Sequence, residues 1–233
     1  MRLGTIGSLG TLIACASIGA FAEEPVRHVP VFVQPYYQSG TSQSEAPIVA
    51  VARKYDQQLS SRDPTTIQQV ARAIDSDSSL ITPMTLMVLA IRHYDVGLRD
   101  ESVFWFYAAK DRYSTLDAVL DMRHPALAQA GQATADFANL AGITINGYAF
   151  CDLQRQTAAR LRALKWVEEH PYEVVFSDQL PAKAGDRRQN LQVANEQLRA
   201  NAAKEAEFLS RPETLEKLTS TRRNNGAVEK YCW

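Results

Sequence analysis

The sequence predicts an all-α protein, a single-domain array of about seven to eight helices with an extended proline-rich N-terminal arm and one disulfide. Three observations carry that expectation. Apolar residues recur at i, i+3, i+4 and i+7 through most of the chain after residue 48. Helix-start signals punctuate those runs, as at Asp63-Pro64 and Thr82-Pro83. Only Cys151 and Cys232 remain as cysteines once an N-terminal export segment is set aside.

That export segment is residues 1–22. Arg2 is followed by an uncharged, largely apolar run ending in Ala20-Phe21-Ala22, a small-x-small pattern suited to signal peptidase, with cleavage expected before Glu23. Leu12-Ile13-Ala14-Cys15 also satisfies a lipobox, which would make Cys15 a lipid anchor, but the residues after it stay apolar where a polar tether would follow. Removal of the segment leaves about 210 residues, enough for one domain with a sizeable core. The expected location is the periplasm or the exterior. There the two remaining cysteines should pair, closing a loop of roughly 80 residues worth about 4 kcal/mol in the chain-entropy model.

Residues 23–47 carry Pro25, Pro30, Pro35 and Pro47, with Val29, Val31 and Val33 alternating between them, and read as an extended arm. It either lies over the surface or pairs as a strand with Val174-Val175-Phe176. The helical domain is residues 48–233. A first helix is expected from Ile48, Val51, Ala52, Tyr55 and Leu59, and a second from Asp63 with Ile67, Val70, Ala71 and Ile74 inward. After Thr82-Pro83, Met84 to Ile91 are apolar on nearly every side, so that helix should be buried. It stops near Gly97, and Asp100 opens a helix bearing Val103 to Ala109. Pro125 to about Ala141 is an Ala-rich helix, and Asp152 caps another with Leu153, Leu161, Leu164 and Val167. Beyond a loop from Pro171 to Gly185, Leu191, Ala194, Leu198, Ala202 and Leu209 mark a long surface helix. Ser210 and Glu213 are expected to form a capping box for a last helix, stopped by Asn225-Gly226.

The charges, 25 basic and 26 acidic, are interspersed and give a formal net charge of −1. That balance points away from nucleic acid, whose binders concentrate basic residues on one face. No second apolar run reaches membrane-spanning length, so no transmembrane segment is expected after cleavage.

The stretch from Leu89 to Lys110 resembles one copy of a Sel1-like, tetratricopeptide-related helical hairpin. Tyr94, Gly97, Asp100, Phe106, Tyr107, Ala108 and Ala109 carry the match. The second repeat glycine is missing, and no further copy follows at the spacing a solenoid requires. The segment ESVFWFYAAK is also similar to uncharacterised exported bacterial proteins, which implies export and no more.

Catalytic patterns are sparse. There is no H-E-x-x-H, no G-x-S-x-G, no phosphate-cradling glycine loop and no Cys/His cluster with metal spacing, so neither cofactor nor metal is expected. Glu101-Ser102 with Phe104 resembles the catalytic fragment of lytic transglycosylases, which would make Glu101 a general acid; the family's later Gly-Leu-Met-Gln segment is absent. A favourable charge at a helix N-terminus explains Asp100 and Glu101 equally well. His93, Tyr94, Asp95, Asp100 and Glu101 cluster at the joint between the two central helices and, with the arm Val29 to Tyr37, are the expected partner contacts. The sequence therefore points to a non-enzymatic exported protein-binding domain, in its narrowest form an immunity protein neutralising a secreted toxin. A peptidoglycan-active enzyme using Glu101 and a passive envelope-structural protein are the alternatives.

Overall fold

The computed structural model describes residues 24–233; the export signal over 1–22 and the anchoring of Cys15 lie outside them. Among the described residues there are nine helices and one small sheet. The order is β1 (Phe32–Val33), β2 (Tyr37–Gln38), β3 (Ile48–Val49), α1 (Asp56–Leu59), α2 (Pro64–Ser76), α3 (Pro83–Asp95), α4 (Arg99–Val119), α5 (Pro125–Ala149), α6 (Leu153–Glu169), a 3-10 turn (Glu173–Phe176), α7 (Arg187–Ser210), α8 (Pro212–Asn224) and α9 (Ala227–Tyr231). The class is all-α, with the sheet confined to the arm and its continuation into Ile48.

Local chemistry starts α2, α3 and α6 where the sequence says. The Asp63 carboxylate accepts from the Thr65 and Thr66 amides, Thr82 Oγ1 from Thr85 and Asp152 from Arg155, each satisfying donors that a first turn leaves open. Proline opens α2, α3, α5 and α8, where its missing N–H is not needed. Gly97 takes φ 86°, a left-handed turn that bulkier residues resist, and so lets α4 fold back on α3.

The core forms around that hairpin. Leu86 through Ile91 are wholly buried, and α4 buries Val103 through Ala109 on all its sides because α3, α5, α6 and α7 each cover one. Each large apolar side chain so buried is worth about 1.5–3 kcal/mol. The charged groups of the interior find partners there. Asp111 meets Arg160 between α4 and α6, and burial holds its carboxyl above the usual range even so. Arg112, fully buried, donates to the carbonyls of Ser78, Ile81 and His170 and thereby ties three segments; desolvation pulls its pKa down to about 10.

The arm is half of a core layer. Val29, Val31, Val33 and Tyr37 point inward and alternate with exposed residues such as Phe32. Its strand partner, however, is not Val174-Val175-Phe176, which lie in and around the 3-10 turn. β1 pairs antiparallel with β2, and β2 with β3, so the arm closes on itself. The expected first helix is correspondingly short. Ile48 belongs to β3 and is 63% exposed, and the Asp56 carboxylate accepts from the Val51 and Ala52 amides, which fixes a turn there and delays the helix to Asp56. The Ser210–Glu213 capping box does not form either: Ser210 Oγ turns back to the Glu207 carbonyl, and Pro212 opens α8 with no side-chain cap. Leu161 and Leu140 face solvent, since the inward faces of α6 and α5 are filled by Ala163, Leu164, Val167, Phe137 and Ala141.

The tail returns to the beginning. Cys151, just past α5, is bonded to Cys232, just past α9, with Cα atoms 5.4 Å apart. The Tyr231 ring lies over Gly147, where a Cβ would come within 2.8 Å of it. Val26 N–H donates to the Lys230 carbonyl at 2.8 Å, so the start of the arm and the end of the tail meet beside the α3–α4 joint.

Candidate functional site

The first turn of α4 projects Asp100 and Glu101 to the surface, where the positive end of the helix dipole favours them. Across from them run the end of α5 and the first turns of α6. Tyr148 O–H donates to Asp100 at 2.8 Å. Arg155 Nε donates to Asp152 at 2.8 Å, and its Nη1 lies 3.4 Å from both Asp100 oxygens. Arg162, two helical turns further along the same face of α6, holds Glu101 with two hydrogen bonds of 2.9 and 3.1 Å while its guanidinium stacks 3.8 Å over the Phe104 ring. Between these charged groups lies a cleft of about 220 Å³ floored by Val103, Ala149, Ala158 and Ala159.

A second, shallower cleft lies beyond Arg162. Trp166 donates its indole N–H to Asp75 at 2.7 Å and stacks on His170, and Trp105 meets it edge to face. Glu101 stands on the ridge between the two clefts.

The five joint residues do not form one surface. Only Asp100 and Glu101 face the cleft. His93 is buried, and its Nδ1 lies 2.9 Å from the Leu89 carbonyl, which can only accept, so that nitrogen carries the proton; burial lowers its pKa. Tyr94 is buried and donates to the Val26 carbonyl at 2.9 Å, with its hydroxyl pushed up to about 12 by burial. Asp95 is buried, accepts from Val29 N–H at 2.8 Å, pairs with Arg92 and lies 3.3 Å from His28. Tyr94 and Asp95 thus fix the arm to the hairpin and His93 is held within α3 itself, so none of the three presents an exposed contact. The arm from Val29 to Tyr37 offers a partner only its outward residues.

The transglycosylase-like fragment is split by helical geometry. Ser102 is wholly buried and Phe104 nearly so, while Glu101 alone faces out. Both of its carboxylate oxygens are already taken up by the Arg162 guanidinium. Among the described residues no group of three His, Cys, Asp or Glu is placed to hold a metal, and no helix is long and apolar enough to cross a membrane.

Sequence reasoning missed Tyr148, Asp152, Arg155 and Arg162 as site residues. The i, i+7 spacing of the two arginines was visible, but the acids they meet lie 55 and 61 residues away.

No family model and no solved structure matches the chain. A protein of Haemophilus influenzae described as uncharacterised is 36% identical over 231 residues, which cover 99% of this chain and 87% of that protein. The chain belongs to that protein's family. The likeness runs almost the full length of this chain, so it takes in the arm, the central hairpin and the tail together.

Proposed function

We propose that this chain is an exported, non-enzymatic protein-binding domain whose α4–α5–α6 cleft receives an apolar side chain of a partner protein. The observation that carries this reading is the cleft's construction. Its floor is Val and Ala, which a partner can desolvate at little loss, and its rim is a set of acids and arginines already paired with one another. Such a rim holds a shape, each of its acids already meeting an arginine. Export is supported by the Cys151–Cys232 bond, since structural disulfides persist in oxidising compartments, and by the signal-like residues 1–22. The Sel1-like resemblance of Leu89 to Lys110 and the immunity form of the reading belong to the same proposal, the latter with a secreted toxin as the partner.

The test is site-specific photo-crosslinking in the cell envelope from a probe at Ala158, a solvent-exposed position on the cleft floor. A discrete protein adduct is expected, and it should disappear when Ala159→Trp fills the cleft while thermal stability stays within about 1 kcal/mol. Absence of any adduct, or release of soluble muropeptides from peptidoglycan that Glu101→Gln abolishes, would overturn the proposal.

A further inference from the structure

The meeting point of arm and tail forms a third, more polar pocket of about 400 Å³, apart from the two clefts above. Its walls carry Arg27 and His28 from the arm, Arg62 from the α1–α2 connection, Arg92 from α3, Arg99 from the start of α4, and Trp233. Opposing them are Asp95 and Glu45. Both acids are already engaged: Asp95 with Arg92, Val29 N–H and His28, and Glu45 with the amide and hydroxyl of Thr41. Arg27, Arg62 and Arg99 have no carboxylate side-chain partner among the described residues. Arg27 and Arg99 instead pack on the Trp233 ring, 4.1 and 3.5 Å from its centroid, and Arg99 also donates to the Trp233 carbonyl. Arg62 donates to the Ser44 carbonyl.

Four guanidinium groups thus face two carboxylates in a chain whose formal net charge is −1. Even with a carboxylate counted at Trp233, the local excess stays positive. Like charges brought together in a partly dehydrated pocket repel, and the repulsion is relieved when an anion enters. Arg99 adds a second sign: its Nε–H is buried and has no acceptor, and buried donors are nearly always satisfied.

We propose that this pocket is a binding site for a small phosphate monoester, its phosphoryl group held by Arg27, Arg62 and Arg99. Three guanidinium forks approaching from three segments match the oxygens of a tetrahedral dianion better than a planar carboxylate, which one or two forks saturate. The pocket also exceeds the size of a bare phosphate, which leaves room for a small organic group beside the indole of Trp233.

The experiment titrates the purified mature protein with glycerol phosphate, inorganic phosphate and succinate at constant ionic strength. Binding is read by tryptophan fluorescence and calorimetry. Glycerol phosphate is expected to bind more tightly than succinate at one site, and Arg27→Gln and Arg62→Gln should each weaken it about tenfold, a loss of about 1.4 kcal/mol. Both arginines are exposed, so these variants should fold; Arg53→Gln, outside the pocket, should bind as the parent does. No saturable binding, equal loss in the Arg53 variant, or a preference for succinate would overturn the assignment.

Discussion

In α3 every residue from Leu86 to Ile91 is wholly buried, whereas in α8 no residue is. The α3–α4 hairpin is held by area: its side chains have no water to return to without opening the whole fold. The tail from α8 onward is held by points, namely the Cys151–Cys232 bond, Arg222 donating to the Gly147 carbonyl at 2.7 Å, Tyr231 on Gly147, and Trp233 between arginines. Burial distributes stability over a global unfolding unit, while point ties leave a segment able to open by itself. One chain therefore contains a cooperative body and a fastened strap.

The largest effect that would sharpen this contrast comes from the hairpin and the helix packed on it. Phe106→Ala or Phe137→Ala, each emptying a fully buried site, should cost about 3–5 kcal/mol, seen as one cooperative shift in a denaturant melt. Next, Cys151→Ser combined with Cys232→Ser should cost about 2–4 kcal/mol. Hydrogen exchange should then show protection lost in α8 and α9 but kept in α3; loss spread evenly over both would break the distinction.

Smaller effects come from two histidines of opposite character. The hydrogen bond that His28 donates to the Asp95 carboxylate raises the His28 pKa, so its contribution is complete below the ordinary histidine value and is lost as pH rises through the raised one. Burial lowers the His93 pKa, so the folded state loses stability as pH falls below the ordinary value, because the unfolded chain takes the proton more readily. An NMR titration should place His28 above His93, and His28→Gln should remove the stabilisation seen on the acid side. Smallest of all, Leu215→Ala in α8, at a site 37% exposed, should change stability by about 0.5 kcal/mol or less.

Much of the body was legible because its causes are local. Asp63, Thr82 and Asp152 cap helices that the apolar spacing had already marked, and two cysteines left in an export context can pair in only one way. The arm was harder. Ile48, Val51 and Ala52 fit a helical stripe, yet a nonlocal partner, β2, and one carboxylate, Asp56, decide otherwise. Helix α5 runs to Ala149, past its expected end near Ala141, and in α4 Asp111, Arg112 and Thr115 look like surface residues until their partners are known. At the site, the acidic first turn of α4 could be read directly. The arginines that neutralise it come from a helix whose placement no local pattern encodes, and the same long-range packing drew His93, Tyr94 and Asp95 inside.

The notch at Gly147 has an evolutionary corollary. A methyl gained there collides with the ring of Tyr231, while a smaller residue at 231 leaves the notch unfilled, so neither position can drift alone without loosening the strap. Related chains should therefore change the two sites in concert, a larger residue at one accompanying a smaller one at the other, and a double-mutant cycle of Gly147→Ala with Tyr231→Ala should show a coupling of about 0.5–3 kcal/mol.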